Sequence, residues 1–492
     1  MQDKRPRWRS VLPGLSGRLG IAISLASAFG CRTSESPSTP VRATWLHSEV
    51  TQSLPTELPP FTSAQTPRNG NEVGGTSTLD ELIERALLAH PGLAAQYQSE
   101  VAETERATLA GSFDDPKLSV RWFFDEIETR TGPQEWAVGL QQALPGWGKR
   151  ARRERAALAS ADTERAKYSE LRSALVFQVQ EVWCELYYLE RAKDILTENR
   201  GLIERLGEIV RSRYAVGEAS YSDLTRTNIE LAQTRSLLEG VVDRSRPLRA
   251  EMNALLARSS DAPLPRPQTL PPNELPQSGS KQDPTLFAEL ERGNTTLRLL
   301  RSRRETAEAQ TSVANVAARP DFNVGLEYIR TGDALDPLTP NAGEDPIFAS
   351  LSFNVPLRSE RYSALKREAR ARLRSATSRL EARVDALSAE LEKERYTWRE
   401  AQRSVVLYAE SLVPQAEQLL EATETSYRSG RASFLEWVDA ERSRLQYELS
   451  LARARTNQAK SAARLNELLG RNAEIAPEAH TPTTFTGEGG QR

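Results

Sequence analysis

The chain is poor in the side chains that most often carry enzyme and redox chemistry. Its 492 residues include only two cysteines and three histidines, and the histidines stand far apart at His47, His90 and His480. A histidine metal site or a serine–histidine–aspartate triad therefore has almost no material from which to form. Cys184 lies in the apolar segment Val182–Leu186, where we interpret it as a small buried residue rather than a reactive thiol. The sequence thus predicts no enzyme, no metal site and no cofactor.

Long apolar runs are likewise absent after the first thirty residues. Only 38% of the residues are hydrophobic while 27% are charged, a composition typical of long helices with narrow apolar seams. No segment of about 18 apolar residues remains that could form a membrane-spanning helix, a limit that does not apply to strands. The formal net charge is −2, and a chain without an excess of basic residues is not expected to bind nucleic acid.

Residues 1–30 have the pattern of a secretory signal peptide. Basic residues precede the apolar run Leu19–Phe29, which ends just before Cys31. Cleavage before Cys31 would leave a lipidated cysteine that anchors the mature chain to a membrane, and ordinary cleavage after Ala28 is the alternative. Residues 31–77 are rich in serine, threonine and proline without an apolar period, which predicts a disordered tether.

The chain contains a tandem duplication. The segment Tyr214–Tyr221 returns 213 positions later as Tyr427–Phe434, with glycine, alanine and serine at matching places. An Asn-x-Leu-Leu sequence follows each copy. The unit is far longer than a solenoid repeat, so two like halves of one structure are expected. We predict a first repeat over 78–260, a linker over 261–282, a second repeat over 283–472 and a flexible tail over 473–492.

After its first helix, each repeat changes from a helical period to an alternation of apolar and polar residues. The alternation covers 117–144 and 321–357, each as two segments of about 9 to 11 residues, the length of a tilted membrane strand. The sequence therefore predicts two β-hairpins, with loops at 126–134 and 331–346. A half-buried soluble sheet is the alternative, but the long polar helices offer no core for such a sheet to cover.

Four strands cannot close a barrel, and an open edge in lipid leaves backbone groups unpaired. The sequence therefore predicts an oligomer. Three copies would supply twelve strands, an even number within the range of outer-membrane barrels, with Arg121, Glu327 and Asn354 facing a wet lumen. The predicted fold class is an internally duplicated α+β membrane protein, with a long α-helical coiled-coil barrel and a transmembrane β-barrel closed by a trimer.

Each repeat then continues into a long helix, over Trp147–Arg213 and Arg358–Arg428. Apolar residues in the first follow the alternating spacing of four and three that a coiled-coil seam requires: Leu175, Val179, Val182, Leu186, Leu189 and Leu196. At about 1.5 Å per residue such a helix reaches on the order of 100 Å, enough to cross a periplasm. Gly217 and Gly430 then turn the chain at two tips, 214–221 and 427–434, and shorter helices return.

This duplicated order of helix, hairpin, long helix, glycine tip and return helix resembles the TolC-like outer-membrane efflux proteins. The resemblance covers about residues 78–472 and includes Thr78–Leu87, His90–Leu93, the segment Gln142–Arg150 and both tips. The sequence Pro-Gly-Trp-Gly-Lys within that segment is similar to the sequence found in the branch that serves metal-cation efflux pumps. The resemblance implies a homotrimer in outer-membrane lipid that works with a periplasmic adaptor protein and an inner-membrane pump.

The resemblance also implies two kinds of functional residue. In the family the tips receive the adaptor, which here assigns docking to Val216, Gly217, Ser220, Gly430, Arg431 and Ser433. Acids just above the second tip constrict the periplasmic entrance in the family, and Glu436 and Asp439 stand at the matching places. One helical turn separates the two acids, so three copies would place six carboxylates around a pore and favour cations. A solvated helix face is the alternative.

The function expected from these features is a passive, gated exit duct through periplasm and outer membrane, for metal cations or drugs delivered by a pump. Two alternatives remain at this point. One is the outer-membrane exit channel of a type I protein secretion system. The other is a periplasmic coiled-coil adaptor, which shares the helices and the lipid anchor at Cys31 but needs no barrel.

Overall fold

The computed structural model describes residues 78–273 and 284–473, apart from Pro337. The predicted signal peptide and tether, including the lipidation site Cys31, and nearly all of the predicted tail lie outside the described residues. Within the described ranges, none of the helices is long and apolar enough to cross a membrane.

The two repeats follow the same order of helices and strands, except that the long helix of the second repeat is divided. The first repeat contains α1 (Leu79–Ala89), α2 (Pro91–Gly111), β1 (Lys117–Thr129), β2 (Gly132–Leu144), α3 (Lys149–Ala215) and α4 (Tyr221–Leu255). The second contains α5 (Pro284–Gly293), α6 (Thr295–Val316), β3 (Phe322–Thr331), β4 (Ile347–Phe353), α7 (Ser359–Leu407), a π-helical turn (Tyr408–Leu412), α8 (Val413–Arg428) and α9 (Phe434–Leu468).

The four strands form one antiparallel sheet in the order β1-β2-β3-β4. The repeats join at its centre, where β2 pairs with β3 and places Leu140 opposite Leu326. The two strands of the first hairpin extend beyond the alternating pattern, so that only Arg130 and Thr131 separate them instead of a loop over 126–134. β1 and β4 are the two edge strands of the sheet. Among the described residues each has a strand partner on one side only, so both edges of the sheet are open.

The sheet exposes a row of large apolar side chains. Leu118, Val120 and Trp122 of β1 are all more than 60% exposed, and Phe124 is 94% exposed. On the polar side, Arg121 forms an ion pair with Glu327 of β3 across the intervening strand. One apolar and one polar face thus follow from the alternation of side chains along each strand.

The helices pack along the apolar seam of α3. Its predicted members are all buried: Leu175, Val179, Val182, Leu186, Leu189 and Leu196. Leu175 and Val179 share a cluster with Leu82 of α1 and Met252 of α4, while α6, α7 and α9 build the corresponding cluster of the second repeat around Leu391. Cys184 is fully buried beside the seam, and burial raises the pKa of its thiol to about 12, as an inert apolar residue requires.

The second long helix differs from the single helix expected over 358–428. It is interrupted by the π-helical turn Tyr408–Leu412, and α8 begins at Val413 with Pro414 in its first turn. Proline has no N–H to donate and its ring clashes with the preceding turn, so a wider turn directly before Pro414 relieves this clash.

Candidate gate and docking tips

Both tips reverse the chain with a glycine in the left-handed region. Gly217 has φ +78° and Gly430 has φ +72°, values that cost other residues about 1–2 kcal/mol. The N–H of Gly217 donates to the Tyr214 carbonyl and the N–H of Gly430 donates to the Tyr427 carbonyl, each at 3.0 Å. The turn is therefore the same at both tips.

The helix that leaves each tip begins with the same capping arrangement. The N–H of Asp223 donates to Ser220 Oγ at 3.1 Å, and the Ser220 N–H donates to Asp223 Oδ2 at 3.0 Å. At the second tip, Ser433 and Glu436 repeat both bonds at 3.0 and 3.2 Å. Such reciprocal bonds satisfy two backbone donors that the first helical turn leaves open. Ser220 and Ser433 thus stabilise the first turn of their helices, and the carboxylate of Glu436 does the same for α9.

Asp439 lies one turn further along α9 and its side chain is 61% exposed. Arg442 is its nearest cation, with 3.9 Å between Arg442 Nη1 and Asp439 Oδ1. The same arginine also binds Glu230 of α4, with Arg442 Nε donating to Glu230 Oε2 at 3.2 Å. The two predicted gate acids are thus both exposed on one side of α9, but Glu436 is engaged in a cap and Asp439 stands beside a shared cation.

The surroundings of the two tips differ strongly. Tyr427, Phe434 and Trp437 of the second tip are buried, and Tyr427 and Trp437 have ring centroids 5.1 Å apart. At the first tip Tyr221 is 69% exposed and Val216 is 71% exposed. The first tip therefore presents apolar surface, whereas the second tip covers a core and leaves its predicted docking residues Gly430, Arg431 and Ser433 exposed.

Arg213 connects the tips, and sequence reasoning missed it. Its Nη1 donates to the Tyr427 carbonyl at 2.6 Å and its guanidinium lies 4.9 Å from the Tyr427 ring. The contact joins residues 214 positions apart, so no local pattern could have indicated it. Leu206 and Val210 of α3 belong to the same buried cluster, and the two tips are therefore one packed unit.

Above the second tip, α9 buries charged residues that the sequence analysis also missed. Glu441 is 4% exposed and Arg444 is 7% exposed. Arg444 Nη1 lies 3.3 Å from Glu198 and 3.2 Å from Glu448, while Glu441 Oε1 has no hydrogen-bond partner within the described ranges. Burial and then the nearby Glu230 carboxylate raise the pKa of Glu441 to about 7, against the opposing effect of Arg444 and Arg442.

The segment Gln142–Arg150 joins β2 to α3 and contributes an ion pair to the second repeat. Lys149 is buried, and its Nζ lies 2.9 and 2.8 Å from the two carboxylate oxygens of Asp321. The Gly146 N–H donates to Asp321 Oδ1 at 2.8 Å. The lysine that the sequence resemblance connected with metal-cation pumps therefore ties the first repeat to the second. No cluster of three metal-ligating side chains occurs in the described part of the chain.

Solved outer-membrane channels share this fold at low sequence identity. The outer membrane protein VceC of Vibrio cholerae is 19% identical with a TM-score of 0.65, over 80% of this chain and 96% of that one. The Neisseria gonorrhoeae channel MtrE, in its open state, is 16% identical with a TM-score of 0.63, over 80% and 88%. The Campylobacter jejuni channel CmeC is 14% identical with a TM-score of 0.62, over 80% and 85%.

No curated protein sequence matches the chain. The sequence model of the outer membrane efflux protein family matches residues 82–245 and 286–471, which include most of both repeats. The match confirms the resemblance to TolC-like proteins that the duplicated phrases indicated. The chain therefore belongs to the outer membrane efflux protein family, whose members are transport channels and not enzymes.

Proposed function

We propose that three copies of the chain form a gated exit duct for an efflux system. The observation that supports this most directly is the sheet with two open edges, β1 and β4, and exposed apolar side chains. In lipid an open edge leaves backbone N–H and C=O groups without partners, so the edges must be closed by other strands. Three four-stranded sheets would give twelve strands, which suits an outer-membrane barrel.

The helices extend the duct away from the membrane. α3 has 67 residues and is on the order of 100 Å long, which suits a tunnel across the periplasm. The tips at its far end are the proposed docking place for a periplasmic adaptor, which in turn couples the duct to an inner-membrane pump. Val216, Gly217 and Ser220 form the first docking tip, and Gly430, Arg431 and Ser433 form the second.

We further propose that Glu436 and Asp439 narrow the periplasmic entrance. Both side chains are exposed on one side of α9, and six carboxylates in a trimer would favour cationic cargo such as metal cations or positively charged drugs. Because Glu436 also caps α9, its substitution by alanine would damage the helix start. Gln retains the capping oxygen and removes only the charge, so Glu436→Gln separates the two roles.

The test is single-channel conductance in a planar bilayer. Glu436→Gln with Asp439→Asn should raise conductance and lower cation selectivity, because the ring of charge is lost while the cap remains. The matched control is Asp223→Asn, which alters the corresponding cap of the first tip and should leave both values unchanged. An unaltered conductance in the double variant would refute the gate, and a water-soluble monomeric mature chain would refute the duct.

The proposed location is the outer membrane, with lipid attached at Cys31. The signal-like pattern before that residue supports the attachment. Cells grown with radioactive palmitate should label the wild-type protein and leave Cys31→Ser unlabelled. Equal labelling of both proteins would contradict lipidation at this residue.

A further inference from the structure

The ion pair between Lys149 and Asp321 forms a joint between the two repeats, and its members stand at defined positions in the chain. Lys149 is the fourth residue after Pro145, which follows β2, and Asp321 is the first residue after Pro320, which precedes β3. Their ion pair lies where the neighbouring antiparallel strands β2 and β3 end and begin. It therefore marks the point at which one repeat meets the next.

The duplication contains a second set of these positions. Pro356 stands after β4, 211 positions beyond Pro145, and Pro116 stands before β1, 204 positions ahead of Pro320. The fourth residue after Pro356 is Glu360, where the first repeat has Lys149. The residue after Pro116 is Lys117, where the second repeat has Asp321. Both charges are thus reversed at the equivalent positions.

Both members of this second set are available to a partner. The Glu360 side chain is 85% exposed and accepts a hydrogen bond from Arg367 Nη2 at 2.7 Å. Lys117 is exposed at the start of edge strand β1. Within one chain they begin and end opposite edges of the sheet, so only another copy can bring the two together through strand pairing.

We propose that neighbouring copies join β4 to β1, with Glu360 of one copy paired to Lys117 of the next. This inference rests on the proposed trimer and adds the residues that close it. Internal pairing places Gln142 opposite Val324 and Leu140 opposite Leu326. The equivalent register between copies sets Phe353 opposite Val120 and Leu351 opposite Trp122.

The reversal of charge suits a joint between copies. Within the sheet β2 and β3 have strand partners on both sides, so only β1 and β4 are open to another copy. Lys117 and Glu360 carry opposite charges, so their junction would be attractive, as the internal joint between Lys149 and Asp321 is.

The helices provide a second, independent indication of the same interface. Inside the chain, Leu206 of α3 is buried in a cluster with Phe434 of α9. The residues 213 positions away from these are Leu419 and Tyr221, which are 52% and 69% exposed. The equivalent contact, from α8 of one copy to α4 of the next, would cover both of these apolar side chains.

Crosslinking by a short bismaleimide tests the proposed pair in the full chain with Cys184→Ala, because a lysine ion pair can form between backbones that are too far apart for a disulfide. Lys117→Cys with Glu360→Cys should give dimers and trimers after treatment with the reagent, seen by denaturing gel electrophoresis. The matched control, Lys149→Cys with Asp321→Cys, occupies the equivalent internal joint and should close within one chain without an increase in mass. If native mass spectrometry shows trimers and the control closes while the 117–360 pair does not, the inference is wrong and the proposed duct stands. If neither trimers nor conductance are found, the proposed function itself fails.

Charge reversal supplies a second readout. Lys117→Glu and Glu360→Lys should each lower the fraction of heat-resistant trimer about tenfold, because three junctions weaken at once even though a single exposed pair is weak. The double reversal should restore that fraction to within about twofold of wild type. A double variant that is no better than either single variant would overturn the pairing.

Discussion

The two tips have the same turn and the same cap but opposite surroundings. Gly217 and Gly430 share nearly equal φ angles, and Asp223 and Glu436 bind their serines in the same way. Yet Tyr427, Phe434 and Trp437 are buried against α3, whereas Tyr221 of the first tip is exposed within one chain. Local sequence thus determines the turn, while the neighbouring helix determines whether the tip is core or surface.

The largest expected effect comes from Trp437. Trp437→Ala removes a buried indole that contacts Tyr427 and should lower the free energy of unfolding by about 3–5 kcal/mol. The control is Val216→Ala at the first tip, where an exposed side chain is shortened and a change of about 0.5 kcal/mol or less is expected. Thermal unfolding followed by circular dichroism in detergent measures both. Equal effects would show that the tips do not differ in packing.

Glu441 should make the region above the second tip sensitive to pH. The pKa of Glu441 is raised to about 7 in the folded chain, so the folded state retains a proton that the unfolded state loses near pH 4.5. The free energy of unfolding should therefore fall as pH rises between about 4.5 and 7, by on the order of 3 kcal/mol. Glu441→Gln should abolish most of that fall and be the more stable variant at pH 8. A wild-type chain whose stability is flat over this range would contradict the predicted proton uptake.

Substitution of the tip glycines should lower the stability of the two tips equally, in contrast to substitution of Trp437 and Val216. Gly217→Ala and Gly430→Ala each place a side chain at φ above +70°, where little surrounds it: the nearest atom to the added Cβ is Arg213 Nη2 at 3.8 Å from position 430. Each substitution should cost about 1–2 kcal/mol through backbone strain alone. Unequal melting-temperature shifts for the two variants would reveal a packing difference at the turn itself.

Glu436→Gln should have the smallest effect on stability. Its amide oxygen can still accept from the Ser433 N–H, so a change within about 0.5 kcal/mol is expected in chemical unfolding. Ser433→Ala is the matched loss of the cap and should cost about 1 kcal/mol. A large loss of stability in Glu436→Gln would show that the charge of Glu436, and not only its capping oxygen, stabilises the start of α9.

The sequence allowed prediction of features that depend on spacing along the chain. The seam of α3 and the alternation in both hairpins repeat at short intervals, each glycine tip lies within one short segment, and all are present. Contacts between distant elements were not predictable in the same way. Lys149 with Asp321, Arg442 with Glu230 and Arg213 with Tyr427 depend on which helices and strands become neighbours, which one sequence does not reveal. The burial of Glu441 was missed for the same reason, since α9 shows no local sign of which side packs against α3, α7 and α8.

The π-helical turn between α7 and α8 affects which side of the long helix its apolar residues occupy. Leu391 of α7 and Leu420 of α8 are both buried, and the 29 positions between them are four heptads and one additional residue. One extra residue would rotate a coiled-coil face by roughly 100°, but the wider turn at Tyr408–Leu412 takes up one residue more than a regular helical turn. The wider turn thus keeps Leu391 and Leu420 both on a buried side, although their spacing departs from the heptad period. A long helix can depart from that period in this way and still keep its apolar residues packed against neighbouring helices.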